Sequence, residues 1–149
     1  MKLVIACDHA GCEVKNEVIA ALEGKGHEVK DFGCYTNESV NYPDYAHLVC
    51  KAIQDKEAEL GILICGTGIG MSMAANKHRG IRAAVCTEEF SAEMTRRHND
   101  ANVLCMGARV ISTETAIKLA TLFVETPYEG GRHALRVAMV DELDKTEKI

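Results

Sequence analysis

Short apolar runs that alternate with longer stretches of helical periodicity constrain this chain more than any other feature. The runs at 3–7, 28–31, 61–65, 83–86 and 103–106 have strand length. Most are apolar without polar alternation, the pattern of strands covered on both faces of a parallel sheet. Between them, apolar residues return at helical spacing. Val14, Val18, Ala21 and Leu22 share one face, as do Tyr45, Leu48, Val49, Ala52 and Ile53, and later Ala116, Leu119, Ala120 and Phe123. Gly26 closes the first helix, Pro43 suits the first turn of the second, and Ser112-Thr113 offer an N-cap for the fifth. A last helix is expected over 132–145. Strand–helix alternation without a repeat or linker predicts α/β architecture. The expected fold is a Rossmann-like three-layer α/β/α sandwich with a five-stranded parallel sheet and a long C-terminal helix, one domain over 1–149.

Composition narrows the partners. Apolar residues make up 47% and charged residues 26%, a globular balance. The net charge of −5 argues against nucleic acid, which calls for a basic surface, but leaves room for one small phosphorylated ligand. Seven cysteines are an odd number, and Cys7, Cys65, Cys86 and Cys105 lie in or at the ends of apolar runs. Reduced thiols in a cytoplasmic protein are therefore expected. The first apolar run is too short for a signal peptide or a membrane span.

Open parallel sheets bind ligands beyond the carboxyl ends of their strands, near the point where strand order reverses. The residues there are Asp8-His9, Gly33, Cys65-Gly66-Thr67, Thr87-Glu88 and Gly107-Ala108-Arg109. Cys65-Gly66-Thr67-Gly68-Ile69-Gly70 is the densest signal. Three glycines at alternate positions let the backbone turn sharply and aim several N–H groups at a bound oxygen. A helix is expected from Met71, and its amino end would favour negative charge and a thiolate at Cys65. Known phosphate motifs do not fit this loop. A dinucleotide fingerprint needs glycine at 71 and a cysteine phosphatase needs arginine there, but the residue is Met71. The P-loop Lys-Ser/Thr ending is missing, and no C-x-x-C pair suggests zinc or dithiol chemistry. A tight strand-to-helix turn with Cys65 as core would produce the same pattern. Asp8-His9 could equally be a helix cap with a surface histidine. Arg132 and Arg136, four apart, share a helix face that could clamp a phosphate or simply be solvated. His98-Asn99-Asp100 could be ordinary capping, and His27, His47 and His78 have no partner pattern.

Taken together the motifs say more. Cys7-Asp8-His9-Ala10-Gly11, Asn41-Tyr42-Pro43-Asp44-Tyr45, the segment from Ile64 through Gly70, Ala74-Ala75-Asn76-Lys77 and Gly80-Ile81-Arg82-Ala83 come first. His98-Asn99-Asp100-Ala101-Asn102-Val103-Leu104, Gly107-Ala108-Arg109 and Tyr128-Glu129-Gly130-Gly131-Arg132-His133 follow. In this order the chain resembles the B-type ribose-5-phosphate isomerases, within the wider ribose/galactose-6-phosphate isomerase family. The resemblance implies interconversion of ribose 5-phosphate and ribulose 5-phosphate, in the non-oxidative pentose phosphate pathway, by ring opening and proton transfer through an enediolate. It implies no metal and no organic cofactor.

Carried over by position, Cys65 resembles the base that moves a proton between C2 and C1. Thr67 and the amides of Gly66, Gly68, Ile69 and Gly70 look like the holder of the enediolate oxygen. His98 resembles the acid/base that opens the ring, and Asp8 a contact to sugar hydroxyls. His9, Arg109, Arg132 and Arg136 look like the phosphate grip, with Asn99 and Tyr42 as further contacts. Relatives with a carboxylate base carry it at or near position 74. Ala74 stands here, so the thiolate version applies.

Chain order adds a geometric expectation. Cys65 follows its strand whereas His98 precedes the next, and a five-residue strand spans about 17 Å. His98, Asn99 and the Arg132/Arg136 helix should therefore reach the site from a neighbouring subunit across a two-fold axis, which the resemblance also implies as a homodimer or a dimer of dimers. Two rivals remain: an isomerase of allose 6-phosphate or galactose 6-phosphate, and a nucleotide-binding or receiver-like regulatory domain. A receiver needs an acidic cluster after its first strand and aspartate after its third, and this chain has Asp8-His9 and Cys65 there.

Overall fold

Alternation of side chains along a strand accounts for the three layers. In the computed structural model, which describes residues 1–145, Leu3, Ile5 and Cys7 of β1 (Lys2–Cys7) point to one face of the sheet, while Val4 and Ala6 point to the other. Ile62 and Ile64 against Leu63 and Cys65 do the same in β3 (Leu60–Cys65). In β5 (Val103–Gly107), Leu104 and Met106 oppose Val103 and Cys105. Both faces of these strands must be covered, so they lack polar alternation. Helices α1 (Cys12–Gly24), α4 (Glu89–Asn99) and α5 (Thr113–Glu125) cover the first face; α2 (Tyr42–Gln54) and α3 (Ile69–Ala75) cover the second. With β2 (Glu28–Asp31) and β4 (Ala83–Val85), the sheet is wholly parallel in the order β2-β1-β3-β5-β4.

Local chemistry sets the element ends. The Ser112 side chain accepts from the Thr115 amide at the start of α5, and the Glu88 side chain accepts from Ser91 N–H at the start of α4. Pro43 occupies the first turn of α2. The last helix, α6 (Arg132–Glu142), continues as a 3-10 turn, Leu143–Lys145. Residues 146–149 of the expected 1–149 domain lie outside the described residues.

Two expectations are corrected. Leu48 is exposed, because the buried stripe of α2 runs through Ala46, Val49 and Cys50 and leaves Leu48 on the far side. The helix after the glycine-rich loop starts at Ile69, two residues earlier than Met71, because Gly68 takes a left-handed φ of 81° as its cap. That conformation suits glycine, and an added Cβ would also come within 2.9 Å of the Met106 backbone.

Candidate active site

Strand order reverses between β1 and β3, so the residues following these two neighbours flank the switch point. Asp8 follows β1 and is nearly buried; its Oδ1 accepts from the Ala10 amide at 2.9 Å. This carboxylate is not the helix cap, since α1 begins at Cys12 behind Gly11. Next to it, His9 Nδ1 accepts from the Val40 amide at 3.3 Å. A neutral imidazole held this way carries its proton on Nε2, which is left to donate.

Cys65 ends β3 with only 4% of its surface exposed. Its sulfur accepts a 3.1 Å hydrogen bond from the Gly68 amide, and Ile69 N–H bonds to Thr67 Oγ1 at 3.3 Å. These two amides, expected to face the substrate, are engaged inside the loop. The amides of Gly66, Thr67 and Gly70 carry no protein acceptor among the described residues. A buried thiol beside three free N–H groups is an arrangement for removing a proton while holding an oxyanion. Tyr42, at the start of α2, lies over Gly70 so closely that a Cβ there would sit 2.6 Å from its ring. The exposed Arg109, after β5, packs on Gly66. Asp8, His9, Tyr42, Cys65, Thr67 and Arg109 thus gather at the carboxyl edge of the sheet.

The remaining expected residues lie elsewhere. His98 and Asn99 close α4, just ahead of β5, at the opposite edge. Asp100 ends this helix with φ 47°, so the capping reading of this segment is also correct. Arg132 and Arg136 on α6 meet His98 and Asn99 in a cleft of about 880 Å³ that Cys65 and Asp8 do not line. Arg82 sets this corner by bonding Asp141 of α6 through Nη1 at 3.0 Å and the Asp100 carbonyl through Nη2 at 2.9 Å. Neither Arg132 nor Arg136 has an acidic partner among the described residues, which leaves both cations available.

Two further groups join His98. The ring of His133 stacks on it with centroids 4.2 Å apart. Glu129 Oε2 lies 3.6 Å from His133 Nε2 and 4.0 Å from His98 Nε2. Burial, then the neighbouring His98 and Arg132, hold the His133 imidazole below its usual range. Sequence reasoning gave neither residue a role, although the i,i+4 spacing of Glu129 and His133 could have suggested one. His47 and His78, taken as partnerless, bond to each other at 2.9 Å through Nδ1 and Nε2.

A Rossmann-like sheet with a buried thiol and free amides at its switch point has the build of an α/β enzyme. Comparison with known proteins narrows the class: the Ribose/Galactose Isomerase family profile matches residues 3–140. Ribose-5-phosphate isomerase B of Escherichia coli is 45% identical over 144 residues, covering 97% of each chain. Among solved structures, ribose-5-phosphate isomerase B of Clostridium thermocellum superposes with a TM-score of 0.95 at 47% identity, covering 97% of this chain and 98% of that one. The Thermotoga maritima enzyme gives 0.92 at 50% identity, covering 95% and 97%. The chain belongs to the Ribose/Galactose Isomerase family.

Proposed function

We infer that this chain interconverts ribose 5-phosphate and ribulose 5-phosphate, opening the sugar ring and moving a proton between C2 and C1 through an enediolate. The observation that carries the chemistry is Cys65 Sγ, fixed by the Gly68 amide beside the free amides of Gly66, Thr67 and Gly70. The proton next to a carbonyl is weakly acidic, so a base alone is insufficient. A positioned base contributes about 10²–10⁴-fold, and each oxyanion donor roughly 10²–10³-fold. Cys65 takes and returns the proton, and Thr67 with the free amides holds the enediolate oxygen. Asp8 and Tyr42 contact the sugar, and His9 presents Nε2–H to the phosphate beside Arg109.

His98 is the acid/base for ring opening, with Asn99 as a sugar contact and Arg132 and Arg136 completing the phosphate grip. These four reach the substrate held at the Cys65 site of a neighbouring subunit, in a homodimer or dimer of dimers. Leu135, Met139, Val140 and Leu143, all exposed around α6, support an interface on this side, as do exposed Ile69 and Met73 beside the Cys65 loop. Residues 1–149 act as one isomerase domain, needing no metal or organic cofactor for the reaction, in the cytoplasm. No helix among the described residues is long and apolar enough to cross a membrane.

The test is a panel of ribose 5-phosphate, allose 6-phosphate and galactose 6-phosphate with wild type and Cys65→Ala. Ribose 5-phosphate should be turned over best, and kcat of the variant should fall by about 10²–10⁴-fold with KM little changed. Preference for a six-carbon sugar would move the substrate assignment, and full activity of Cys65→Ala would refute the mechanism.

A further inference from the structure

Three cysteines that play no part in the proposed reaction meet on the opposite face of the sheet from Cys65. Cys7 ends β1, Cys12 opens α1 and Cys34 follows β2, and all three are buried. Cys12 Sγ lies 3.8 Å from Cys7 Sγ and 3.4 Å from Cys34 Sγ, and the three sulfurs all fall within 4.8 Å of one another. The Cys34 carbonyl oxygen is 3.7 Å from Cys7 Sγ and 3.6 Å from Cys12 Sγ. No C-x-x-C spacing announces the cluster, because a turn and a neighbouring strand bring its members together.

The 3.8 Å Cys7–Cys12 separation matches a coordination polyhedron, and the 3.4 Å Cys12–Cys34 pair need open by only about 0.4 Å to fit one. Sulfurs bonded at about 2.3 Å to a tetrahedral zinc ion lie about 3.8 Å apart, and an oxygen at about 2.1 Å lies about 3.6 Å from each of them. We propose that Cys7, Cys12 and Cys34 bind a thiophilic divalent cation, zinc being the natural example, with the Cys34 carbonyl as fourth ligand. The donor set is soft and contains no carboxylate, which disfavours magnesium and calcium. Three thiolates around a divalent ion leave one net negative charge. The cation facing it is Lys15, whose side chain is 1% exposed and which pairs with Asp31 at 2.7 Å.

The rival use of close thiols is a disulfide between Cys12 and Cys34. Burial pushes the Cys7 and Cys34 thiols up, and oxidation proceeds through thiolate. A disulfide would also leave the third sulfur without a role. A metal ion drives its own deprotonation, releasing three protons to solvent as three sulfur–metal bonds form. Occupancy would tie the turn carrying Asp8 and His9 to the segment after β2, whose Val40 amide holds His9.

Reduced, metal-stripped protein titrated with Co²⁺ provides the test, read by the sulfur-to-cobalt charge-transfer band and by proton release. The band should saturate at one ion per chain, release about three protons per ion and disappear on adding Zn²⁺. Cys12→Ala and Cys34→Ala should each weaken binding at least about a hundredfold, while Cys65→Ala and Cys50→Ala leave it unchanged. Wild type carries the test even if a variant misfolds: no band at millimolar Co²⁺ overturns the proposal. So does a band that survives in folded Cys12→Ala/Cys34→Ala or vanishes in Cys65→Ala. Loss of two mass units in air without a cobalt band would make the cluster a disulfide instead, also overturning it.

Discussion

Mixing two inactive variants tests the shared site directly. Cys65 is in register with Gly107, and Gly61 with Val103, so four residues of strand, about 13 Å, separate the two edges of the sheet. His98, in the last turn of α4, shares its cleft with Arg82 and Ala83, and Ala83 is in register with Val103 at the amino edge of the sheet. Ring opening and proton abstraction act on neighbouring atoms of one sugar, and each group must come within about 3 Å of its target. If Cys65 and His98 have the proposed roles, one chain cannot do both. Cys65→Ala and His98→Asn should each be nearly inactive as a homodimer. When equal amounts are exchanged to equilibrium, half of the dimers are mixed. Each mixed dimer has one site with both defects and one with neither. Activity should therefore recover to about a quarter of wild type. The assay follows ketose formation from ribose 5-phosphate, with mixed dimers counted by a mass tag. If mixed dimers form and activity stays at the sum of the parents, the site lies within one chain and the reasoning fails.

Gly70→Ala should separate substrate handling from folding. The new Cβ meets the Tyr42 ring, which is partly exposed and can swing aside, so stability should change by less than about 1 kcal/mol while KM rises; an unchanged KM would remove Tyr42 from the substrate contacts. Acid stability should reveal His133. Burial, then His98, Arg132 and Arg136 against the opposing Glu129, hold its imidazole below the ordinary value, so the unfolded chain binds a proton at higher pH than the folded one. This contribution to stability is complete above about pH 6.5 and is lost as pH falls through the interval down to the depressed folded value. Denaturant unfolding should follow that slope in wild type and lose part of it in His133→Gln; identical slopes would contradict the assignment.

The sheet was legible because strands buried on both faces must be apolar at consecutive positions, as Ile62, Leu63 and Ile64 are. The turn at Gly68 was legible for a similar reason, since few other residues accept its φ. Leu48 was misplaced because helical spacing defines a stripe without saying where its edge falls. The roles proposed for Cys65 and His98 came from the order of motifs along the chain, and their placement at opposite strand ends followed from strand direction alone.

Contacts between residues far apart in sequence were decided only by packing. Val40 holding His9, Arg82 fastening α6 beside α4, and His133 stacked on His98 depend on how the elements dock. So does the choice of loop amides: Gly68 and Ile69 turn inward to Cys65 and Thr67, while Gly66, Thr67 and Gly70 stay free. The three-thiol cluster has the same origin. Periodicity and motif order record which face or edge a residue belongs to, because burial and backbone conformation act locally. Which distant side chains meet is set by the summed packing of the whole fold, and no local stretch of sequence carries that information.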